Sequence, residues 1–289
     1  MNRSRCPVLL LTIVLSAGCV SSRTVPLAKT VAMRGQEVAT AALAFYDDVD
    51  ATVVRDKSHQ DFVRILLLPP GSPFPDKKAE DFSEQLKARR AAYKALKSAY
   101  GSYQAIADST APADVAQATA GLADAANTLG RGVQITDQAK SLLGTVSTKL
   151  VEAQRSRNLR KHNEAFVELV NAYRTVWLDD VSAWRDFLTG VEVSYSSAVA
   201  GIPPTSLDAG KIGMLVTEPV ASDRKIPVYQ LQLINAERAR IAASEEKMRT
   251  VTRALDALVA AHSALASDKP SAADVLQASN QILQIMAKE

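Results

Sequence analysis

A row of aromatic and aliphatic residues between positions 166 and 195 restricts the fold of this chain more than any other feature. Its members are three or four residues apart, and the average step is close to the 3.6-residue period of an α-helix. A helix over residues 158–200 would measure about 60 Å at 1.5 Å per residue, so it needs neighbours of similar length. The sequence therefore predicts an all-α, elongated helical bundle. The row consists of Phe166, Val170, Tyr173, Trp177, Val181, Trp184, Leu188, Val191 and Tyr195.

A second helix, nearer the C-terminus, repeats apolar residues every seven positions. Ile234, Ile241, Met248 and Leu255 follow this spacing, and His262 takes the next place. Such a repeat favours packing at a shallow crossing angle, as in coiled coils. His262 is therefore expected to be a packed or hydrogen-bonded core residue rather than a metal ligand.

Proline and glycine are gathered into a few breaks, and the long stretches between them are rich in Ala, Leu, Gln, Glu, Lys and Arg. These six residues favour helices, whereas the breaks favour turns. No stretch alternates like a strand. The predicted helices cover residues 27–67, 77–109, 113–129, 134–156, 158–200, 227–266 and 272–287.

Three short segments of the first half recur in the same order in the second half. Their shared order predicts a tandem duplication, although an alanine-rich helical composition can also produce such matches by coincidence. The matched segments are FYDDVDA (45–51) with WLDDVSA (177–183), LPPGS (68–72) with IPPTS (202–206), and ADVAQA (113–118) with ADVLQA (273–278).

These features predict a domain organisation of two repeat units behind an export signal. The expected segments are a signal peptide at 1–18, a lipidated tether at 19–26, repeat unit 1 at 27–130, a connecting helix at 131–157 and repeat unit 2 at 158–289.

The N-terminus has the parts of an export signal. Arg3 and Arg5 precede an apolar run, residues 7–15, which is too short to span a bilayer, and small residues then lead to Cys19. The segment LSAGC, which ends at Cys19, resembles the lipobox of bacterial lipoproteins. The resemblance implies a diacylglyceryl group on the Cys19 thiol, cleavage just before this residue and acylation of the new amino group. Val20 stands where inner-membrane retention in that family often has aspartate, which implies sorting to the outer membrane. The alternative is an ordinary secretory signal with a chance cysteine.

Charge and cysteine content exclude several classes of function. Cys6 lies in the segment that cleavage would remove, so the mature chain would hold only Cys19 and no disulfide or thiolate metal site. The chain has 34 Lys and Arg against 31 Asp and Glu, and loss of Arg3 and Arg5 leaves 32 against 31. Positive and negative residues are therefore almost equal in number, and this balance does not support binding to nucleic acid.

No catalytic or metal-binding motif is recognisable. His59, His162 and His262 have no acidic or histidine partner at a metal-ligand spacing, and no nucleophile elbow or phosphate-binding loop occurs. We therefore predict no cofactor, no metal and no enzyme. The layout is similar to that of imelysin-like periplasmic proteins, but their His-x-x-Glu signature is missing because Phe62 and Ala165 stand at the glutamate positions. That family's function is therefore not implied.

Three regions are candidates for a partner or ligand surface. The two tryptophans, seven apart on one helix face, would line a groove or, in the interpretation we favour, pack in the core. The basic segment 155–162 would bind anionic lipid or a polyanion or, in the interpretation we favour, is a solvated connection between two bundle segments. The loop at 202–227 is long and carries an apolar patch that must be buried somewhere. The candidate residues are Trp177, Trp184, Arg155, Arg157, Arg160, Lys161, Ile212 and Met214.

Three classes of function remain open. The leading hypothesis is a non-enzymatic lipoprotein on the periplasmic face of the outer membrane, which acts as a scaffold, spacer or docking module for an envelope protein. The alternative is a periplasmic binding module that holds a small apolar or anionic ligand between the two helical halves. An enzyme with unrecognised residues is the third class.

Overall fold

The computed structural model describes residues 8–67, 77–108, 152–201, 217–219, 225–267 and 271–287, with isolated positions between 114 and 124. Helices make up nearly all of these residues and pack against one another, so the predicted all-α bundle is confirmed. Five helices are found in the described ranges: α1 Val8–Leu67, α2 Lys77–Asp108, α3 Glu152–Gly201, α4 Val228–Ala266 and α5 Ala272–Met286.

A short two-stranded ribbon interrupts the helices. β1 Thr217–Pro219 pairs antiparallel with β2 Lys225–Pro227, and Glu218 stands opposite Ile226. The sequence shows no alternating stretch at this ribbon, because three residues are too few to show the alternation that identifies a strand.

Two helix starts differ from the prediction. α1 begins at Val8 rather than near residue 27, so the expected tether at 19–26 is helical in the structure. Pro26 lies inside α1, and its carbonyl accepts a hydrogen bond of 3.0 Å from the Thr30 hydroxyl. α3 begins at Glu152 and runs through the predicted break at residue 157, because no proline or glycine interrupts a stretch of good helix formers. The predicted helices at 113–129 and 134–156 lie mostly outside the described residues.

The chain divides into two compact units, and each unit takes segments from both halves of the sequence. Unit 1 comprises Met1–Ala44, Lys87–Leu178 and Thr250–Glu289, and unit 2 comprises Phe45–Leu86 and Asp179–Arg249. Helices α1 to α4 each contribute to both units, while α5 belongs to unit 1 alone. This division differs from the predicted repeat units, and the duplication itself stays a prediction.

Unit 1 has a core of aromatic side chains from α2 and α3. The rings of Tyr93 and Tyr173 meet edge to face with centroids 5.1 Å apart, and Tyr93 meets Trp177 in the same way at 6.2 Å. Each buried hydroxyl or indole N–H needs a partner. The Tyr173 hydroxyl donates to the carbonyl of Ala92 at 2.8 Å, and the Trp177 indole donates to the Thr252 hydroxyl at 2.9 Å.

The last helix of unit 1 begins as its sequence predicts. The Ser271 side chain accepts a hydrogen bond of 3.3 Å from the backbone N–H of Asp274, which is the geometry of an N-cap. The negative charge of Asp274 in the first turn also interacts favourably with the positive end of the helix dipole. The buried face of α5 consists of Val275, Ala278, Ser279, Ile282 and Ile285.

Unit 2 is built around one tyrosine and one tryptophan. Tyr46 of α1 meets Trp184 of α3 edge to face, with ring centroids 6.1 Å apart, and its hydroxyl donates to Asp180 Oδ2 at 3.0 Å. Lys247 of α4 forms an ion pair with Asp48 of α1. The second aspartate of each matched Asp-Asp pair therefore bonds a neighbouring helix at the edge of the core.

Candidate functional site

The structure places both predicted tryptophans in the interior. Trp177 is 0% exposed and Trp184 is 3% exposed, as the helical period predicted for core residues. Neither side chain forms an exposed partner or ligand surface, and both have the core position that we favoured from the sequence. The reason is that α2 and α4 in unit 1, and α1 in unit 2, contribute side chains that cover this face of α3.

The other candidate residues are only partly within the described chain. The backbone of Arg155, Arg157, Arg160 and Lys161 belongs to the first turns of α3, and Leu159 among them is buried. Ile212 and Met214 lie outside the described residues, as does most of the loop at 202–227. Cys19 belongs to α1.

Unit 1 contains a buried relay of three hydrogen-bonded side chains. His262 of α4 contacts Asn163 Oδ1 of α3 through Nδ1 and the Tyr100 hydroxyl of α2 through Nε2, each at 2.8 Å. The amide oxygen can only accept, so Nδ1 carries the proton and the Tyr100 hydroxyl donates to Nε2. The Phe166 ring stacks on the imidazole with centroids 5.2 Å apart. His262 is thus the packed, hydrogen-bonded core residue that the heptad predicted.

Burial keeps this relay uncharged. Desolvation lowers the pKa of His262 to about 3 and that of the neighbouring His162 to about 4, because a charged imidazolium would lose its hydration. Desolvation also raises the pKa of Tyr100 and of Tyr103, and the nearby Asn163 amide opposes part of the shift at Tyr103. A sealed neutral network of this kind stabilises the helix packing and is not open to a substrate.

Unit 2 holds a cluster of charged side chains around Glu237 of α4. The Glu237 side chain is only 2% exposed; its Oε2 accepts from Arg240 Nη1 at 3.0 Å, and Oε1 lies 3.8 Å from Arg55 Nη2. The Arg55 guanidinium is held in turn by the Thr52 hydroxyl at 2.8 Å. A buried carboxylate is tolerated only with such partners.

Two further groups complete this Glu237 cluster. The rings of His59 and Tyr195 lie 4.3 Å apart, and Asp56 accepts a hydrogen bond of 2.7 Å from Gln60. Burial raises the pKa of Asp56, opposed by the His59 charge and the Gln60 hydrogen bond, and burial followed by the Glu237 charge raises that of Tyr195. The cluster thus joins α1, α3 and α4 through ion pairs of Glu237 with two arginines and through the His59–Tyr195 ring contact.

The sequence held a signal for this cluster. Glu237 lies three residues after Ile234, which is the second core position of the heptad, and a charged residue there indicates a buried ion pair. Asn163 lies three residues before Phe166 and so extends the apolar row of α3 by one turn. Both residues stand at core positions, where an apolar side chain is the usual occupant.

The described residues contain no group of three or more His, Cys, Asp or Glu side chains that could hold a metal ion. Among the described helices, none is long and apolar enough to cross a membrane. An open groove in unit 1, with a volume of about 590 Å³, lies between α1, α2 and α5. Comparison with known proteins finds no family model, no characterised protein and no solved structure that matches this chain.

Proposed function

We propose that this chain is a lipid-anchored protein on the periplasmic face of the outer membrane, where its helical bundle acts as a non-enzymatic scaffold, spacer or docking module for an envelope protein. The observation that carries the proposal is the LSAGC segment ending at Cys19, directly behind a short apolar run. Several acyl chains hold a protein in a membrane almost permanently, since each buried methylene contributes about 0.8 kcal/mol.

The structure of α1 supports a scaffold rather than a loosely tethered domain. The helix continues from Cys19 into the bundle, and Thr24 is already buried in unit 1. Five residues of helix span only about 7.5 Å. A lipid on Cys19 would therefore hold the bundle close to the membrane surface and limit its reach.

The placement of the indoles also favours this function over the alternative of a ligand groove lined by the two tryptophans. A ligand groove walled by Trp177 and Trp184 needs exposed rings, whereas both rings are covered by neighbouring helices. His262 in unit 1 and Glu237 in unit 2 likewise bond to other side chains of the bundle, as a rigid support requires.

The anchor is tested by paired cysteine variants. Cys19→Ser should abolish acylation and release the protein from the membrane fraction, while Cys6→Ser should change neither property because residue 6 lies in the removed segment. Mass spectrometry of the wild-type N-terminal peptide is the direct measurement. A wild-type peptide without acyl chains at Cys19 would refute the anchor.

Sorting and docking need separate measurements. Density-gradient fractionation should recover the wild type with the outer membrane, and Val20→Asp should move it to the inner membrane. Crosslinking in intact cells should give defined adducts with an envelope protein that disappear in Cys19→Ser. Recovery of the wild type in the inner membrane would overturn the sorting, and absence of any adduct would overturn the docking role.

A further inference from the structure

The groove of unit 1 runs along one face of α1. Its volume is about 590 Å³, which lies within the range of sites for small molecules. α1 supplies residues from Met33 to Ala44, α2 supplies Lys97 and Gln104, and α5 closes one end with Met286. The groove therefore belongs to one compact unit and is formed by three helices that meet there.

Small side chains produce the open space. Ala41 and Ala44 form the α1 side, and Gly101 lies between Lys97 and Gln104 on the same face of α2. A Cβ at Gly101 would meet nothing within 4 Å, so no neighbouring group fills the position. Met33, which is 47% exposed, and Met286 add flexible apolar walls that adapt to a chain-like ligand.

Two charged side chains line the groove, and only one of them, Glu37, forms an ion pair with a described residue. Glu37 is already neutralised by Arg34, whose Nη1 lies 2.6 and 2.7 Å from the two carboxylate oxygens. Gln36 donates to Gln104 at 2.7 Å, which joins α1 to α2 at the groove. Lys97 forms no ion pair with any described residue. The groove thus offers an apolar wall and one uncompensated positive charge.

We propose that this groove binds an anionic amphiphile with a single alkyl chain, of the fatty-acid type. The alkyl chain lies against Met33, Ala41, Ala44 and Met286, and the carboxylate pairs with Lys97. Burial of methylenes supplies the affinity, and the ammonium selects the sign of the head group. This binding activity goes beyond the docking function and does not depend on it.

The test uses the full chain with Cys19→Ser, which carries no lipid of its own, and dodecanoate as the probe. Titration calorimetry below the micellar concentration should show one site, and dodecyltrimethylammonium, with the same chain and the opposite charge, should bind at least about tenfold more weakly. Equal binding of the two probes, or no saturable dodecanoate binding, would overturn the proposal.

Three variants locate the site. Lys97→Met should weaken dodecanoate binding about fivefold, the upper range for an exposed ion pair. Lys94→Met is the matched control, because Lys94 is exposed on the same helix without lining the groove, and it should bind as the parent does. Ala44→Phe should fill the groove and abolish binding, and since Ala44 is exposed, the fold should tolerate it. Unchanged binding in both Lys97→Met and Ala44→Phe would place the ligand elsewhere and refute the proposal.

Discussion

Unit 1 and unit 2 satisfy their inward-facing polar side chains in different ways. In unit 1 the Tyr100, Asn163 and His262 relay is neutral and fully enclosed. In unit 2 the Glu237 side chain forms an ion pair with Arg240 and is approached by Arg55 at a partly exposed edge. The same long helices thus carry polar residues at core positions in two ways, as a neutral hydrogen-bonded group in unit 1 and as an ion-paired group in unit 2. The stability of the relay depends on a neutral His262 imidazole, whereas the stability of the Glu237 cluster depends on its arginine partners.

Low pH should produce the largest difference in stability between the two units. Desolvation gives the folded-state histidines pKa values of about 4 for His162 and about 3 for His262, below the unfolded value of 6.5. The stability that their neutral rings contribute is therefore fully present above about pH 6.5 and falls by about 1.4 kcal/mol per pH unit for each ring. Between about pH 6.5 and 4.5 the two rings together should lower the free energy of unfolding by about 4 kcal/mol, as measured by urea denaturation.

Unit 2 supplies the internal control for this acid effect. Burial raises the folded-state pKa of Asp56, so its contribution favours the folded state at low pH and is lost as the pH rises through that pKa, the opposite sign. Amide hydrogen exchange should show acid-induced opening in unit 1 first, and His262→Gln should remove about half of the pH dependence. Equal acid sensitivity in both units would contradict the contrast.

Loss of a buried indole should cost each unit a similar amount. Trp177→Ala in unit 1 and Trp184→Ala in unit 2 should each lower the free energy of unfolding by about 3 to 5 kcal/mol, through lost burial and the cavity left behind. Leu178→Ala, at a side chain that is 38% exposed on the same helix, should change it by about 0.5 kcal/mol or less. An unchanged denaturation midpoint for Trp184→Ala would refute its core assignment.

Alanine substitutions of one glycine in each unit should change the stability by smaller amounts and with opposite signs. A Cβ on Gly35 in unit 1 would lie 2.3 Å from Tyr100 Cε1, and the relay holds that ring in place, so Gly35→Ala should destabilise by about 1 to 3 kcal/mol. A Cβ on Gly190 in unit 2 meets nothing within 4 Å, so Gly190→Ala should stabilise α3 by about 0.5 to 1 kcal/mol. Thermal denaturation should shift the two midpoints in opposite directions, and shifts of the same sign would contradict this assignment.

The sequence predicted the helices well because periodicity and breaks are local properties. The row on α3 and the heptad on α4 identify the buried Trp177, Leu188, Ile234 and Leu255 without knowledge of any partner helix. The start of α3 was wrong because a polar stretch looks like a connection, although its residues favour a helix when no proline or glycine interrupts them. The division into two units could not be predicted, since it depends on which parts of each helix pack together.

The sites were harder to predict than the helices because they depend on several segments at once. Ala41 and Ala44 are ordinary helix residues in the sequence, and only the positions of α2 and α5 turn their small size into a groove. His262 was assigned correctly to the core, but its partners Tyr100 and Asn163 are far away in the chain. Glu237 stood at a visible heptad position, and its two arginine partners emerge only from the packing.

The long-range contacts of the two units set the order in which the chain can fold. Gln36 and Gln104 are 68 residues apart, so α1 and α2 can meet early, at a modest loss of loop entropy. Tyr100 and His262 are 162 residues apart, and Asp48 and Lys247 are 199 apart, so both units are incomplete until α4 arrives. Such high contact order slows folding and leaves the apolar faces of α1 and α3 exposed to aggregation in the meantime.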